Sequence, residues 1–325
     1  MLAARCHRYG MPDVLVVEEV PDPVAGDGQV VVDVAAAAVN FPDVLLVADN
    51  YQITVPLPFI PGSELAGTVR SVGPGVTTCS IGDRVMGSTL VGAFAQQVVL
   101  PVTSLVSVPD GIEFWGAAAA GVAHQTAYHA LRTMGGVSPG DQVVVLGAAG
   151  GVGLAAVELA VVLGATVTAV ASSESKRDLC VARGAHMAID SDAPDLKEQL
   201  KAATNGGSDV VVDPVGGPYA EAALRAMRWG GRFVSVGFAS GEIPRIPLNL
   251  VLLKGVQVTG FTMAGIAANQ PVETARDSAE LAELLATGRV TPHVSARYPL
   301  AETAQALNDL AERRATGKVL VLPNE

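Results

Sequence analysis

One segment, residues 142–177, constrains the fold more than any other part of the chain. It opens with the apolar run Gln142–Leu146, passes through the small residues Ala148–Gly153, and is apolar on every side from Leu154 to Leu163 before a second apolar run at Thr166–Ala171. A strand, a glycine-rich turn, a helix packed on a parallel sheet and a second strand account for this order. Such a turn presents backbone N–H groups at a helix N-terminus to a pyrophosphate, so the segment predicts dinucleotide binding.

The glycines of this turn depart from strict GxGxxG spacing in one place, because Ala148 stands at the first position, before Gly150 and Gly153. A membrane-spanning helix is the alternative for so long an apolar stretch, but the glycines and Glu158 argue against it. We expect the cofactor to contact the turn at four successive residues: Ala149, Gly150, Gly151 and Val152.

The end of the second strand indicates which dinucleotide binds. An acidic residue about 20 positions after the glycines usually binds the ribose 2′-OH of NAD. Here the strand ends in Ser172 and Ser173, and Lys176 and Arg177 follow one helical turn later. With no carboxylate at this point, these hydroxyls and positive charges favour a 2′-phosphate, which predicts NADPH over NADH. The alternative is that Ser173 only caps the next helix and Lys176 is a surface charge, and Glu174 would oppose a phosphate if it turned inward.

Length, composition and charge bound the remaining possibilities. A chain of 325 residues, half of them apolar, predicts two domains with large cores. The net charge of −11 argues against nucleic-acid and anionic-membrane partners. The N-terminus lacks a long apolar segment of the secretory type, which predicts a cytoplasmic protein. Cys6, Cys79 and Cys180 have no paired spacing and are expected to be free, buried or half-buried thiols.

The pattern of the chain divides it into three parts. Residues 1–122 carry short valine-rich runs between Pro and Gly, which predicts a β-barrel-like domain. Residues 123–264 alternate strands and helices, which predicts a doubly wound parallel sheet that binds the dinucleotide. Residues 265–325 contain two amphipathic helices and the strand Lys318–Leu322, which we expect to return to the first domain.

Further cofactor contacts are expected in the loops that follow other strands of the parallel sheet. Ligands of open α/β sheets bind beyond the carboxyl ends of the strands. Glycine-rich loops also form sharp turns without any ligand, which is the alternative for each position. The candidate contacts are Val215, Gly237, Phe238, Phe261 and Met263.

Several motifs together resemble one known family. The AAGGVGL turn, the strings PGSELAGTV, IGDRV, QTAYHAL and DPVGG, and the closing TGKVLVLP are similar to the medium-chain dehydrogenase/reductase superfamily, and most to its zeta-crystallin-like quinone oxidoreductases. The resemblance spans nearly the whole chain. It implies an N-terminal GroES-like catalytic domain and a Rossmann domain, and its members are homodimers.

The resemblance also implies that this chain lacks the zinc sites of the superfamily's alcohol dehydrogenases. Asn40, Ser63 and Val122 stand where those enzymes have their catalytic zinc ligands. An amide, a hydroxyl and an alkyl group do not replace thiolate, imidazole or carboxylate ligands. The five histidines show no metal-binding spacing, so we predict no metal.

The same resemblance implies roles for four residues. Asn40 would lie near the nicotinamide, Thr126 would face the nicotinamide ribose or phosphates, and Lys318 would approach the cofactor from the closing strand. Tyr51 matches a tyrosine of related enoyl-thioester reductases and is a candidate proton donor. Each residue also has a structural alternative. Asn40 could form a turn, Thr126 could pack within a helix, and Lys318 could be a surface charge. Tyr51 could be a loop residue packed on a domain edge.

Three functions remain open at this level. The leading hypothesis is hydride transfer from NADPH to a quinone or an α,β-unsaturated carbonyl compound, since these acceptors need no Lewis acid. The second is an NADPH-dependent enoyl-CoA or enoyl-thioester reductase. The third is an NADPH-binding sensor or structural protein without turnover. The valine-rich strands near 248–260 are consistent with strand pairing across a homodimer, but a strand buried within one chain would have the same sequence pattern.

Overall fold

A computed structural model describes all 325 residues and divides them into two compact units. The first unit contains Met1–Val122 and Pro292–Glu325, and the second contains Ala123–Thr291. None of the helices combines the length and apolarity that crossing a membrane requires.

The first unit is β-rich, as expected. Its N-terminal part comprises β1 (Leu2–Cys6), β2 (Leu15–Glu19), β3 (Gln29–Val39), α1 (Phe41–Val47), β4 (Glu64–Val72), β5 (Arg84–Ser88), β6 (Gln97–Pro101) and β7 (Leu105–Ser107).

The second unit alternates strands and helices. Its first helix, α2 (Phe114–His129), crosses the boundary between the units and continues into a π turn at Ala130–Met134. The rest comprises β8 (Gln142–Leu146), α3 (Gly151–Val162), β9 (Thr166–Ala171), α4 (Glu174–Ala182), β10 (Met187–Asp190), α5 (Leu196–Ala203), β11 (Ser208–Asp213), α6 (Pro218–Ala226), β12 (Met227–Ser235), α7 (Leu248–Lys254), β13 (Gln257–Gly260), α8 (Met263–Asn269) and α9 (Pro271–Ala286).

The chain then returns to the first unit. The returning elements are β14 (Val294–Pro299), α10 (Thr303–Ala311) and β15 (Lys318–Leu322). β15 pairs antiparallel with β3, where Val319 lies opposite Val39. The closing strand therefore completes the sheet of the first unit.

The return begins later than we expected from the sequence. Residues 265–291, which we assigned to the returning segment, belong to the second unit. The reason is visible on α9, where Asp277 accepts a 2.7 Å hydrogen bond from His129 and Glu280 accepts a 2.6 Å bond from Tyr128. These polar contacts hold α9 against α2.

β3 forms the centre of the first sheet because both of its faces are apolar. The strand pairs with β4, β6 and β15. Val30, Val32 and Val34 join one buried cluster, whereas Ala36 and Ala38 join another. Side chains of a strand alternate with a period of two, so this change of cluster among even-numbered positions follows from the register shift between Val34 and Ala36. Asn40 directly follows the strand.

The second unit contains the predicted doubly wound sheet. Its strand order is β10-β9-β8-β11-β12-β13, and every pairing is parallel. The strands predicted at Gln142–Leu146 and Thr166–Ala171 are confirmed at their bounds. The helix between them begins at Gly151, three residues before its expected start at Leu154, because the glycines of the turn already form its first turn.

Candidate functional site

The glycine-rich turn follows β8 and shows why small residues are needed there. Gly147 has a φ of +56°, and a Cβ at this position would lie 2.4 Å from Cγ2 of Val215. A Cβ at Gly153 would lie 2.2 Å from the carbonyl oxygen of Gly147, so Gly153 lets α3 pack closely on β8. Gly147 therefore requires glycine for its backbone conformation and Gly153 for close packing.

Gly150 differs from these two glycines. Its φ of −78° and ψ of 177° are open to any residue, and the nearest atom to an added Cβ is the Gly147 carbonyl oxygen at 3.4 Å. The protein fold therefore does not require glycine at 150. Gly150 is also the N-cap of α3 and makes no side-chain cap, so the first N–H groups of the helix are free to bind an anion. This arrangement fits a pyrophosphate.

The loops after β11 and β12 lie beside this turn and hydrogen-bond to each other. Asp213 accepts hydrogen bonds from the N–H groups of Val215 at 2.9 Å and Gly216 at 2.8 Å. The N–H of Gly237 donates to the carbonyl of Asp213 at 3.3 Å. Burial raises the pKa of the Asp213 carboxyl, and the bonds from Gly216 and Val215 lower it. Asp213 thus shapes the loop that carries Val215, a role the sequence reading missed.

Most of the predicted cofactor residues of the second unit lie at the carboxyl edge of its sheet. Phe261 follows β13 directly, and Gly260 pairs with Ser235 at the end of β12. Ser172 follows β9, and Phe238 is 40% exposed in the loop after β12. Met263 begins α8, whereas Thr126 is buried on α2. The structure therefore brings the loop candidates to one edge of the sheet, as the sequence indicated.

The end of β9 shows how the proposed phosphate residues are held. Ser173 caps α4 by accepting a 3.3 Å hydrogen bond from the N–H of Lys176. Glu174 is exposed. Arg177 bridges the ends of two strands, because its Nη1 lies 3.0 Å from Oδ2 of Asp190 and 3.3 Å from the carbonyl oxygen of Ala171.

The first unit contains a buried polar cluster, which we define as Asn40, Asp43, Ser63, Glu64 and Lys318. Glu64, Lys318, Asn40 and Asp43 are at most 7% exposed, and Ser63 is half-buried. Three elements contribute them: α1 with its preceding residue, β4 with its preceding residue, and β15. The structure therefore brings together the two predicted residues Asn40 and Lys318, with a chain separation of 278 residues between them.

Lys318 and Glu64 form the ion pair at the centre of this cluster. The Lys318 ammonium donates to Asn40 Oδ1 at 2.6 Å, Glu64 Oε2 at 3.1 Å and the Val39 carbonyl at 3.3 Å. Glu64 Oε2 also accepts from Asn40 Nδ2 at 3.1 Å, and Oε1 accepts from the N–H of Val122 at 2.6 Å. Every charge of the pair is thus compensated, as burial demands.

The three positions that match zinc ligands by resemblance converge on Glu64. Asn40 Nδ2 lies 3.4 Å from Ser63 Oγ, and both Asn40 and Val122 donate to the Glu64 carboxylate. The Lys318 ammonium supplies the positive charge among them. In the whole chain, no group of three His, Cys, Asp or Glu side chains is placed to hold a metal ion.

Asp43 is the second buried carboxyl of the cluster. Its Oδ2 accepts a 2.7 Å hydrogen bond from the N–H of Asn40, while Oδ1 has no well-aligned partner. Burial raises the pKa of Asp43 to about 7, although the Asn40 N–H, the neighbouring Ser63 hydroxyl and the Lys318 charge lower it. Asp43 and Glu64 were missed as site residues, yet a carboxylate within the apolar strings NFPDVLL and PGSELAGTV was the available signal.

Tyr51 lies outside the hydrogen bonds of this cluster. Its ring packs with a group of apolar side chains that includes Val47 and Phe59. Its hydroxyl accepts a 3.5 Å hydrogen bond from Gln52 Nε2. This packing fits the structural alternative for Tyr51, and its role as a proton donor stays a prediction. The three cysteines are free, with Cys6 and Cys180 buried and Cys79 half-buried, as predicted.

Comparison with known proteins identifies the class of the chain. A family model described as the alcohol dehydrogenase GroES-like domain matches residues 26–110, and one described as zinc-binding dehydrogenase matches residues 151–283. These two domains in this order define a medium-chain dehydrogenase/reductase.

Relatives narrow the class further. A quinone oxidoreductase-like protein 2 homolog from Nematostella vectensis is 36% identical over 98% of this chain and 88% of its own length. The crystal structure of Escherichia coli quinone oxidoreductase complexed with NADPH has a TM-score of 0.92 and 30% identity, over 99% of this chain and 100% of that one. The structure of a mycobacterial protein complexed with NADPH has a TM-score of 0.92 and 32% identity, again over 99% of this chain and 100% of that one. The chain belongs to the quinone oxidoreductase-like family of the medium-chain dehydrogenase/reductase superfamily.

Proposed function

We propose that the protein is a zinc-independent oxidoreductase that transfers hydride from NADPH to a quinone or an α,β-unsaturated carbonyl compound. The observation that carries this proposal is the Lys318–Glu64 pair, buried among the positions that match zinc ligands by resemblance. Asn40 Oδ1 and both Glu64 oxygens accept hydrogen bonds from N–H groups or from the Lys318 ammonium. The positive charge at this position is therefore a lysine side chain, in the place where a metal ion would otherwise bind. Acceptors that accept hydride without a Lewis acid fit such a site.

NADPH is the proposed reductant. Its nicotinamide ring supplies the hydride when the cofactor is bound. The free N–H groups at the N-terminus of α3 fit the pyrophosphate, and the space beside Gly150 leaves room for it. Ser172, Ser173 and Lys176 provide hydroxyls and a positive charge for the 2′-phosphate. The two relatives crystallised with NADPH support the same assignment.

The remaining cofactor residues are proposed in two groups. Ala149, Gly151, Val152, Val215, Gly237, Phe238, Phe261 and Met263 would contact the cofactor from the sheet edge, and Thr126 from α2. For Lys318 we propose a positioning role, because it is 3% exposed and its ammonium holds the Asn40 amide at 2.6 Å. Asn40 would then present a fixed amide near the nicotinamide.

NADPH oxidation tests the reaction. The assay measures NADPH absorbance with 1,4-benzoquinone, 2-cyclohexen-1-one or crotonyl-CoA as the acceptor, before and after dialysis against a zinc chelator. We expect turnover with the quinone or the enone that dialysis leaves unchanged. Turnover with crotonyl-CoA alone would identify an enoyl-thioester reductase instead. Tight NADPH binding with no turnover would favour a sensor or structural protein.

We also propose that the protein forms a homodimer through the β13 edge of the second sheet. β13 has an unpaired outer edge, and Val258 on it is 45% exposed. Leu248, Leu252 and Leu253 of α7 are all at least 70% exposed, and an apolar surface of this kind usually contacts another chain. Light scattering should give twice the chain mass, and a Leu252→Lys variant should give the monomer mass. A monomeric wild-type protein would contradict this proposal.

A further inference from the structure

Asp43 is a buried group to which the proposed hydride transfer assigns no role. Its side chain is 0% exposed, and one of its oxygens, Oδ1, has no well-aligned hydrogen bond. An unpaired carboxylate oxygen at this depth is costly. A protonated Oδ1 removes that cost, because the neutral carboxyl is a hydrogen-bond donor toward its neighbours.

The groups that act on the Asp43 carboxyl come from the start of α1, from β4 with its preceding residue, and from β15. The Asn40 N–H donates to Oδ2 at 2.7 Å, and Ser63 is its hydroxyl neighbour before β4. The Lys318 ammonium of β15 lowers the pKa of Asp43, whereas the Glu64 carboxylate of β4 raises it. Burial is the largest effect and brings the pKa to about 7. Asp43 is therefore suited to hold a proton near neutral pH and to release it.

Ser63 is the member of the polar cluster whose side chain is not fully buried. Asn40, Asp43, Glu64 and Lys318 are buried, whereas Ser63 is half-buried. Its Oγ lies 3.4 Å from Asn40 Nδ2, which is the same residue whose backbone N–H binds Asp43. Asn40 thus holds the hydroxyl and the carboxyl in one arrangement.

We propose that Asp43 and Ser63 form a proton-supply pair, in which the Ser63 hydroxyl protonates the reduced acceptor and the buried Asp43 carboxyl reprotonates Ser63. This inference rests on the proposed function, because hydride transfer from NADPH to the β-carbon of an enone leaves an enolate oxygen that takes one proton. The Ser63 O–H bond breaks as the acceptor O–H bond forms, and the Asp43 proton passes to Ser63 Oγ. The Asp43 carboxylate that results is stabilised by the Asn40 N–H and the Lys318 charge. The product leaves as the enol and tautomerises in water to the saturated ketone, where the α-carbon gains a proton and the oxygen loses one. A proton from water then restores the pair.

The pair requires a hydroxyl at 63 and an acid at 43. Asp43→Asn keeps the shape and the acceptor for the Asn40 N–H but removes the acid. Ser63→Ala removes the hydroxyl, and Ser63→Thr keeps it. Asp33→Asn is the matched control, since Asp33 is a carboxylate of the same unit whose partner is Arg70 on the surface.

Steady-state reduction of 2-cyclohexen-1-one by NADPH, measured from pH 5 to 9, tests the proposal. We expect wild-type kcat to fall as pH rises above about 7, since Asp43 then loses its proton. Asp43→Asn and Ser63→Ala should lower kcat at pH 6 by about 100-fold and abolish this alkaline limb, as expected for loss of a general acid. Ser63→Thr should restore most of the activity, and Asp33→Asn should match wild type.

A fluorescence titration of each variant with NADPH separates chemistry from folding and cofactor binding. We expect the NADPH Kd of all variants to lie within twofold of wild type. The proposal is overturned if Asp43→Asn retains wild-type kcat and its alkaline limb, or if Ser63→Thr is as slow as Ser63→Ala. A wild-type protein that reduces neither the enone nor the quinone would instead refute the proposed function, and the pair with it.

Discussion

Removal of the Lys318 ammonium is the sharpest test of how the first unit is held together. Lys318→Met keeps the length of the apolar stem and deletes the charge that compensates Glu64. The Glu64 carboxylate would then retain only the Asn40 amide and the Val122 N–H as donors. Breaking a buried ion pair by removing one partner costs about 3–5 kcal/mol, because the other charge is left uncompensated.

This cost converts to a measurable change in melting temperature. For a unit of about 150–250 residues, each kcal/mol lowers Tm by about 2–4 °C, so Lys318→Met should lower Tm by about 6–20 °C. The double variant Lys318→Met/Glu64→Gln leaves no stranded charge and should recover at least half of that loss. Differential scanning calorimetry at pH 7 measures all three Tm values.

A matched surface variant separates the effect of burial from that of losing a lysine. Lys197→Met also deletes a lysine with a carboxylate partner, Glu198, but both side chains are over 40% exposed. Its Tm should equal that of wild type, because water replaces the partner. A Tm of Lys318→Met within 2 °C of wild type, or a double variant as unstable as Lys318→Met, would refute this account of the cluster.

Three further predictions concern the proposed reaction. Gly150→Ala should melt at the wild-type temperature, because an added Cβ is compatible with the fold. It should bind NADPH at least tenfold more weakly, because that Cβ occupies the space proposed for the pyrophosphate. Gly153→Ala should instead lower Tm, since its Cβ would lie 2.2 Å from the Gly147 carbonyl oxygen. Calorimetry and fluorescence titration distinguish the two variants, and equal behaviour would contradict the reasoning. Lys176→Ala should raise KM for NADPH about tenfold and leave KM for NADH unchanged, and a parallel rise in both would argue against a 2′-phosphate role. Tyr51→Phe should leave kcat on the enone within twofold of wild type, because the Tyr51 hydroxyl lies outside the polar cluster, and a large loss would restore Tyr51 as a proton donor.

The regular elements could be predicted because their information is local. The strands Gln142–Leu146 and Lys318–Leu322 lie where the apolar runs placed them. The glycine turn was recognised from the succession of strand, small residues and helix, which needs only a window of about 35 residues. Close packing at Gly153 then follows from the same local pattern.

The polar cluster could not be predicted in the same way because its contacts are between distant positions. Glu64 and Lys318 are 254 residues apart, and only the pairing of β15 with β3 brings them together. From sequence alone, Lys318 looked like a charge that approaches the cofactor, and Glu64 looked like part of a motif. Periodicity identifies which residues are buried but does not identify the partner of a buried charge.

The pKa of Asp43 makes a final prediction about stability that does not depend on the acceptor. In the unfolded chain an aspartate titrates near 3.9, whereas in the folded protein Asp43 titrates near 7. Between these values the folded state binds more protons than the unfolded state, so the stability that Asp43 contributes is fully present below about pH 4 and is lost as pH rises through about 7. The loss amounts to about 4 kcal/mol at roughly 1.4 kcal/mol per pH unit. Urea unfolding of Asp43→Asn should therefore show a weaker fall in stability from pH 5 to 8 than wild type, because an amide does not titrate. Identical pH profiles of the two proteins would mean that Asp43 is already ionised in the fold, and that it holds no proton to supply.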